Sequence, residues 1–238
     1  MNFKEIVIVP ARGGSKRLPG KNRLEIGGKS MFARIDDVVS AAQLNTPIYL
    51  TTDHPDLAAD GEALGWNIPF LRPSELATDV ASTTDAILHL LDWRVANGAT
   101  DPEVIIILQP TSPFRTASTL ASAVKFLKDD KSINSVVGMQ AVDRPLHGIF
   151  VAGSDSMAEP VIANDSRAPF YIANGALFAT RTAAFRRERT LYADRILPLV
   201  MDQKQSVDID TPDDLKFAEA IQDVDIQSYA AQLVLADK

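Results

Sequence analysis

The sequence contains no cysteine, which excludes disulfides, thiol nucleophiles and cysteine-held metals together. Its three histidines are scattered along the chain, so a classical zinc site is not expected either. Apolar runs are short. None approaches the roughly 18 consecutive residues of a membrane span, and MNFKEIVIVP is too brief an apolar start for a secretory signal. Positive charge is in deficit, with 24 lysines and arginines against 31 aspartates and glutamates and a formal net charge of -7. That balance argues against general binding to nucleic acid or to an anionic membrane. A cytoplasmic protein with neither partner is expected.

What the chain does have is enough apolar material, 46% of 238 residues, for a substantial core, and residues 1–238 read as one α/β domain. Ile6, Val7, Ile8 and Val9 are β-branched, as in a strand covered on both faces, and Pro10 ends the ladder because it has no N–H to give. The strand empties into a loop, Ala11 to Asn22, that mixes flexibility with positive charge. Gly13, Gly14 and Gly20 permit positive φ and close backbone approach. Arg12, Lys16, Arg17 and Lys21 are suited to several phosphate oxygens at once. The spacing matches neither standard nucleotide loop: Gly13 and Gly14 are adjacent and Pro19 interrupts, against Gly-x-Gly-x-x-Gly. Counting back from Gly20-Lys21 reaches Ser15 rather than glycine, and Asn22 stands where a Walker loop carries Ser or Thr. A solvated basic surface loop is the competing reading, and the position at a strand's C-terminal end favours an anion site.

Further along, Gly27-Gly28-Lys29 predicts a turn, Ser30 a helix cap, and Met31, Ile35, Val38, Val39 and Ala42 a helix face. Pro47 to Thr52 predicts the second strand, with Asp53 at its end as either a site residue or a cap. A short helix over Asp56 to Gly65, a short strand over Ile68 to Leu71 and a turn at Arg72-Pro73 follow, and Arg72 is a site candidate beside the plain reading of a surface arginine. Ser82, Thr83 or Thr84 precedes a helix over Ala86 to Ala96. Val104 to Leu108 is the most strand-like run. It leads into Gln109-Pro110-Thr111-Ser112-Pro113-Phe114-Arg115, where two prolines present Gln109 and Arg115 in fixed directions. Thr116 or Ser118 then starts a helix to about Asp129.

From Ser135 the alternation breaks. Strands are expected over Ser135 to Gln140, Gly148 to Val151, Phe170 to Phe178 with a bend at Asn174-Gly175, and Leu197 to Met201, and 140–170 reads as an insertion or dimerisation arm. Asp208 and Asp210 lie two apart on a β-like run and share a face, where they repel unless a cation or proton intervenes. A hard divalent cation such as Mg2+ suits two carboxylates plus substrate phosphates; the plainer reading is that they precede a helix. That helix has a strong start in Thr211, Pro212 and Asp214. A last helix is expected over Asp225 to Leu235.

In this order and spacing, PARGGSKRLPGKN, TTD (51–53), PFLRPSELATDVASTTD, LQPTSPFRT, NGALF and SVDIDTPDDL resemble the acylneuraminate cytidylyltransferase family, which includes pseudaminic and legionaminic acid enzymes. The resemblance implies a Rossmann-like nucleotidyltransferase fold, a mostly parallel sheet with helices on both faces and a small dimerisation arm. It also implies a Mg2+-dependent condensation of CTP with a nonulosonic sugar acid, and a homodimer. The roles it implies are phosphate binding for Arg12, Lys21, the amides of Gly13 and Gly14, Ser15 and Lys16, and nucleotide contact for Asn22, Arg72 and Ser82. It places Gln109 at the sugar acid, Asp208 and Asp210 at the metal, and Arg12, Lys21 and Asp210 in catalysis. Ile172 stands where members that use N-acetylneuraminic acid carry arginine, which makes Arg167, with Asn174, a candidate for the substrate's carboxylate side. An enzyme for the eight-carbon acid Kdo, another sugar-nucleotide pyrophosphorylase, and a non-catalytic nucleotide-binding regulator are the alternatives.

Overall fold

Alternation inside the apolar runs explains how one sheet is covered twice. In the computed structural model, which describes residues 2–142, 150–152, 158–160, 170–224 and 232–233, β1 (Glu5–Pro10) turns Val7 and Val9 to one face and Ile6 and Ile8 to the other. The loop after β1 leads to the hairpin β2 (Glu25–Ile26) and β3 (Lys29–Ser30). Gly27 and Gly28 make its turn, with φ of 57° and 70°, the backbone that only a tight primed turn demands. Next come α1 (Met31–Ala41), β4 (Ile48–Thr51), α2 (Pro55–Ala63), α3 (Thr83–Ala96), β5 (Val104–Ile107) and α4 (Ala117–Asp129). Ser30, Ser82 and Thr116 cap α1, α3 and α4, each accepting from an amide three residues on. On the Val7 face lie Phe32, Ile35 and Val39 of α1, Leu57 of α2 and Leu120, Val124 and Leu127 of α4. On the Ile6 face lie Ile87, Leu90 and Leu91 of α3.

The second half is β6 (Ser135–Val142), β7 (Phe150–Ala152), β8 (Ala158–Pro160), β9 (Phe170–Arg181), α5 (Thr182–Glu188), β10 (Ile196–Val200), α6 (Pro212–Ile221) and β11 (Gln232–Leu233). The seven-stranded sheet runs β11-β10-β6-β9-β5-β1-β4. β4, β1, β5, β6 and β10 share one direction, with β9 and β11 antiparallel to their neighbours. The expected mostly parallel α/β sheet is therefore present. β9 bends where expected: its register against β6 shifts between Val137 and Met139, and Gly175 has φ of 75°.

Three expectations differ from the structure. Ile68 to Leu71 forms no strand, only a Tyr49–Asn67 bridge beside it; Pro69 removes a ladder donor there and Leu71 faces solvent. The segment from Ser206 to Asp210 keeps its alternation, with Val207 and Ile209 buried, but pairs with no strand among the described residues; Ile209 N donates to Thr111 O at 2.8 Å and Asn174 Nδ2 to Ser206 Oγ at 3.0 Å. Of the helix expected over Asp225 to Leu235, Gln232 and Leu233 are instead strand, antiparallel to β10. The remainder of that span, most of the 140–170 arm and Arg167 lie outside the described residues. Within the arm, β7 and β8 form a two-stranded sheet of their own.

The start of α6 is the best-specified local feature. Thr211 Oγ1 accepts from Asp214 N (3.3 Å), while Asp214 Oδ2 accepts from Thr211 N (2.8 Å) and Asp210 N (3.1 Å), closing a capping box with Pro212 at the first helical position. Burial would raise the Asp214 carboxyl, but these donors outweigh it and hold it below the ordinary range. A depressed carboxyl stabilises the fold above its unfolded pKa, and that contribution disappears as pH falls through the folded value. Thr211→Ala is expected to cost about 1 kcal/mol, a fall of roughly 2–4 °C in Tm for a domain this size. The gap to wild type should narrow below about pH 4; an unchanged Tm at neutral pH would mean that the box contributes nothing.

Candidate active site

The loops that leave β1, β4 and β5 all open at the same edge of the sheet, because parallel neighbours put their C-terminal ends together. The β1 loop is tied down at both ends. Ala11 N donates to Thr51 O (3.1 Å) and Gly13 N to Asp53 Oδ1 (2.9 Å), and the buried Asn22 donates from Nδ2 to Arg12 O (2.9 Å). Gly13 is required by space: a Cβ there would stand 2.5 Å from His54 Cδ2. Gly20 is required by backbone, with φ of 69° at the start of a 3-10 turn over Lys21–Arg23.

The strap carrying Asp208 and Asp210 meets this loop from the far side. Val207 and Ile209 sink into a small apolar cluster with Ile26, Met31 and Ala218, against which Leu18 and Leu24 of the basic loop also pack. Burying the odd positions turns both carboxylates outward, toward the loop. Lys21 Nζ donates to Asp210 Oδ1 at 2.7 Å and Arg17 Nη2 to Asp210 Oδ2 at 2.5 Å. Arg12 and Lys16 turn to a different carboxylate, Asp79, at 3.0 and 2.5 Å, and Arg12 Nη1 also donates to Thr78 O.

Between these parts lies a cleft of about 330 Å3, lined by Arg12, Lys21, Asn22, Arg72, Asp79, Ser82, Gln109, Thr111, Asp208 and Asp210 among others. Eight of the residues singled out from the sequence thus come together. Gly13 borders a smaller hollow against His54 with Arg12, Gly20 and Asn22, while Gly14, Ser15 and Lys16 belong to the outer part of the loop. Arg72 is buried and turned inward, donating to Thr51 Oγ1 (3.1 Å) and to Thr51 O; burial lowers its pKa against the pull of Asp53. Ser82 is the α3 cap, accepting from Asp85 N at 3.0 Å. Asn174 is engaged with the protein, donating to Ser206 Oγ (3.0 Å) and accepting from Ala176 N (3.1 Å). Ile172 is 61% exposed. Asp79 was not singled out from the sequence, since a carboxylate amid hydroxyls before a helix looks like capping chemistry.

The two strap carboxylates differ in state. Burial pushes the Asp208 carboxyl up, with the Asp210 charge adding to it and Thr111 and Lys21 pulling the other way. Burial also acts on Asp210, but Lys21 and Arg17 outweigh it and hold that carboxyl low. Asp208 Oδ1 is buried with no hydrogen-bond partner among the described residues. Two hard oxygens, one of them orphaned, fit Mg2+, which takes one or two carboxylates and completes its shell with phosphate oxygens and water. Among the described residues no group of three or more His, Cys, Asp and Glu gathers to hold a metal.

The family model for cytidylyltransferases matches residues 6–227. The CMP-N,N'-diacetyllegionaminic acid synthase of Legionella pneumophila is 29% identical over 228 residues, covering 92% of this chain and 96% of that protein. The N-acylneuraminate cytidylyltransferase of Escherichia coli O18:K1:H7 is 31% identical over 227 residues, covering 93% of this chain and 53% of that longer protein. Among solved structures, a CMP:2-keto-3-deoxy-manno-octonic acid synthetase complexed with CTP superimposes with a TM-score of 0.66 at 20% identity, over 92% of this chain and 98% of that one. That last likeness establishes the fold.

The orphaned carboxylate makes a stability prediction. A carboxyl raised by folding helps the fold only below its unfolded pKa, and its help is lost as pH rises through the folded value. Above that folded value the Asp208 charge therefore works against the fold. With chelator present, Asp208→Asn is expected to raise the Tm at pH 7.5 in a thermal melt; an unchanged or lower Tm would show that the burial is already compensated.

Proposed function

The chain belongs to the cytidylyltransferase family, and on that premise we propose that it condenses CTP with a nonulosonic, sialic-acid-like 2-keto-3-deoxy sugar acid to give the CMP-sugar and pyrophosphate. One observation carries the reading: a four-cation loop faces a carboxylate pair across a cleft, and Lys21 and Asp210 join the two halves at 2.7 Å. Each half alone is ordinary; together they suit a triphosphate gripped by cations on one side and through a divalent ion on the other.

In this reading Arg12 and Lys21, with the amides of Gly13 and Gly14, Ser15 and Lys16, hold the CTP phosphates. Asn22, Arg72 and Ser82 border the nucleoside. Gln109, with Arg167 and Asn174, serves the sugar acid. The anomeric hydroxyl attacks the α-phosphorus, its bond to hydrogen breaks, and the bond to pyrophosphate breaks as the new P–O bond forms. No covalent enzyme intermediate is required, so the protein's part is alignment and charge stabilisation. Asp208 and Asp210 would hold Mg2+, which supplies Lewis-acid charge at the phosphoryl oxygens when bound. Asp210, kept ionised beside Lys21, is placed to accept the hydroxyl proton. The exposed Ile172 offers no charge to the sugar's carboxylate, and this reading assigns that task to Arg167. The same reading places the enzyme in the cytoplasm; among the described residues no helix is long and apolar enough to cross a membrane. It also makes a homodimer through the 140–170 arm, supported by the separate β7-β8 sheet.

Pyrophosphate release is expected with CTP and a nonulosonic acid from a panel that includes Kdo, to vanish with chelator and to return with Mg2+. Turnover with UTP or ATP but never CTP would overturn the proposal, turnover with Kdo alone would move it to the eight-carbon acid, and no turnover at all would favour a binding protein. Asp210→Asn should keep the Tm within a few degrees and lower kcat by roughly 10²-fold; wild-type turnover in that variant would remove Asp210 from catalysis. For the dimer, light scattering at micromolar protein should give twice the chain mass, and a monomer would refute it.

A further inference from the structure

The ladder between β5 and β9 stops at Ile107 and Phe178. The same antiparallel register, carried two residues further, would set Gln109 opposite Ala176. Instead one guanidinium takes both carbonyls: Arg115 Nε donates to Ala176 O at 2.8 Å and Nη2 donates to Gln109 O. The side chain is 5% exposed, and no carboxylate lies within ion-pair distance of it among the described residues. A buried arginine without a paired carboxylate is costly unless its donors are used, and here they bridge the opening between two strands. The Gln109 side chain reaches to Gly175, the β9 residue next to Ala176, and lines the cleft. A Cβ on Gly175 would stand 2.9 Å from Gln109 Oε1 and 3.8 Å from Asp208 Oδ2, so the amide, the Gly175 backbone and the carboxylate converge there.

We infer that Arg115 is a positioning residue for the sugar-acid side of the site: by holding β5 and β9 apart through Gln109 O and Ala176 O, it sets the Gln109 amide against Gly175 and beside Asp208. This rests on the assignment of Gln109 to the sugar acid proposed above. The fork geometry matters as much as the charge. A lysine ammonium keeps the charge but cannot span both carbonyls in one plane, and Gly175 must lack a side chain for the amide to stay where the wedge puts it.

Arg115→Lys, Gly175→Ala and Gln109→Ala, singly and as the Arg115→Lys/Gln109→Ala double variant, test this in the full-length enzyme. Arg115→Lys is expected to raise KM for the sugar acid roughly ten-fold and to leave KM for CTP within about two-fold. In the Gln109→Ala background it should add little, because both changes remove the same contact. Equal losses toward both substrates, or additive losses in the double variant, would mean a merely structural arginine. The position itself is read without turnover, from side-chain amide resonances of 15N-glutamine-labelled protein. The Gln109 signal, identified by its loss in Gln109→Ala, should move in Arg115→Lys while that of Gln43 stays. An unmoved Gln109 signal overturns the inference. If the wild type turns over no sugar acid, the functional reading fails while the resonances still decide the positioning. Gly175→Ala, which moves the same amide from the opposite side, provides the comparison should Arg115→Lys not fold.

Discussion

Two carboxylates turned to one side of an extended strap repel each other, and the rest of the site is arranged around relieving that repulsion. Burial of Val207 and Ile209 fixes the orientation of Asp208 and Asp210, so the strain is not relieved by rotating one of them away. Asp210 is satisfied by Lys21 and Arg17. Asp208 is deeper and retains an oxygen with no hydrogen-bond partner among the described residues. Buried unpaired acceptors are expensive, and a fold keeps them where a function needs them. The proposed metal position follows from this asymmetry more than from the motif.

That arrangement is built on the doubly covered sheet. Because β1, β4 and β5 are parallel, their loops emerge together, and the cluster of Ile26, Met31, Val207, Ile209 and Ala218 seals the space between the β1 loop and the late strap. The same cluster receives Leu18 and Leu24, so hydrophobic burial under the loops sets the distance at which Lys21 meets Asp210. An ion pair bridging 189 residues would be entropically unfavourable without such a base.

Local signals were readable in the sequence where one residue's chemistry dictates one geometry. Ser30, Ser82 and Thr116 cap as their positions suggest, Gly27-Gly28 makes its turn, and the Thr211–Asp214 box closes as its spacing requires. The two-sided burial of Ile6 to Val9 was equally legible, because a strand with no polar side chain has no face to give to water. What was not legible depends on partners far away in sequence. Nothing local distinguishes Asp79, which pairs with Arg12 and Lys16, from a capping aspartate, or the inward Arg72 from a surface arginine. The Ile68 to Leu71 run had the composition of a strand, but beside β4 only the preceding Asn67 pairs, in one bridge to Tyr49, and Pro69 has no donor to extend it. Arg115 was expected to be held stiffly; that it points into the sheet follows only from where β9 lies.

The four loop cations also differ in how firmly they are held, and this bears on how a polyanion enters. Lys16 and Arg17 are 83% and 67% exposed in their side chains, against 21% for Lys21. Exposed pairs contribute little to stability, so releasing Lys16 from Asp79 or Arg17 from Asp210 costs little when a stronger anion arrives. Lys21, partly buried and beside the apolar cluster, is the least exposed of the four. The four loop cations together with Arg72, against Asp79, Asp208 and Asp210, leave a formal excess of two positive charges in and around the cleft. A nucleoside triphosphate brings more negative charge than that excess neutralises. The loop alone is therefore sufficient to attract such a ligand but not to hold it beside the strap carboxylates. That shortfall ties the proposed divalent cation to the same electrostatic argument that explains the pairings seen in the structure.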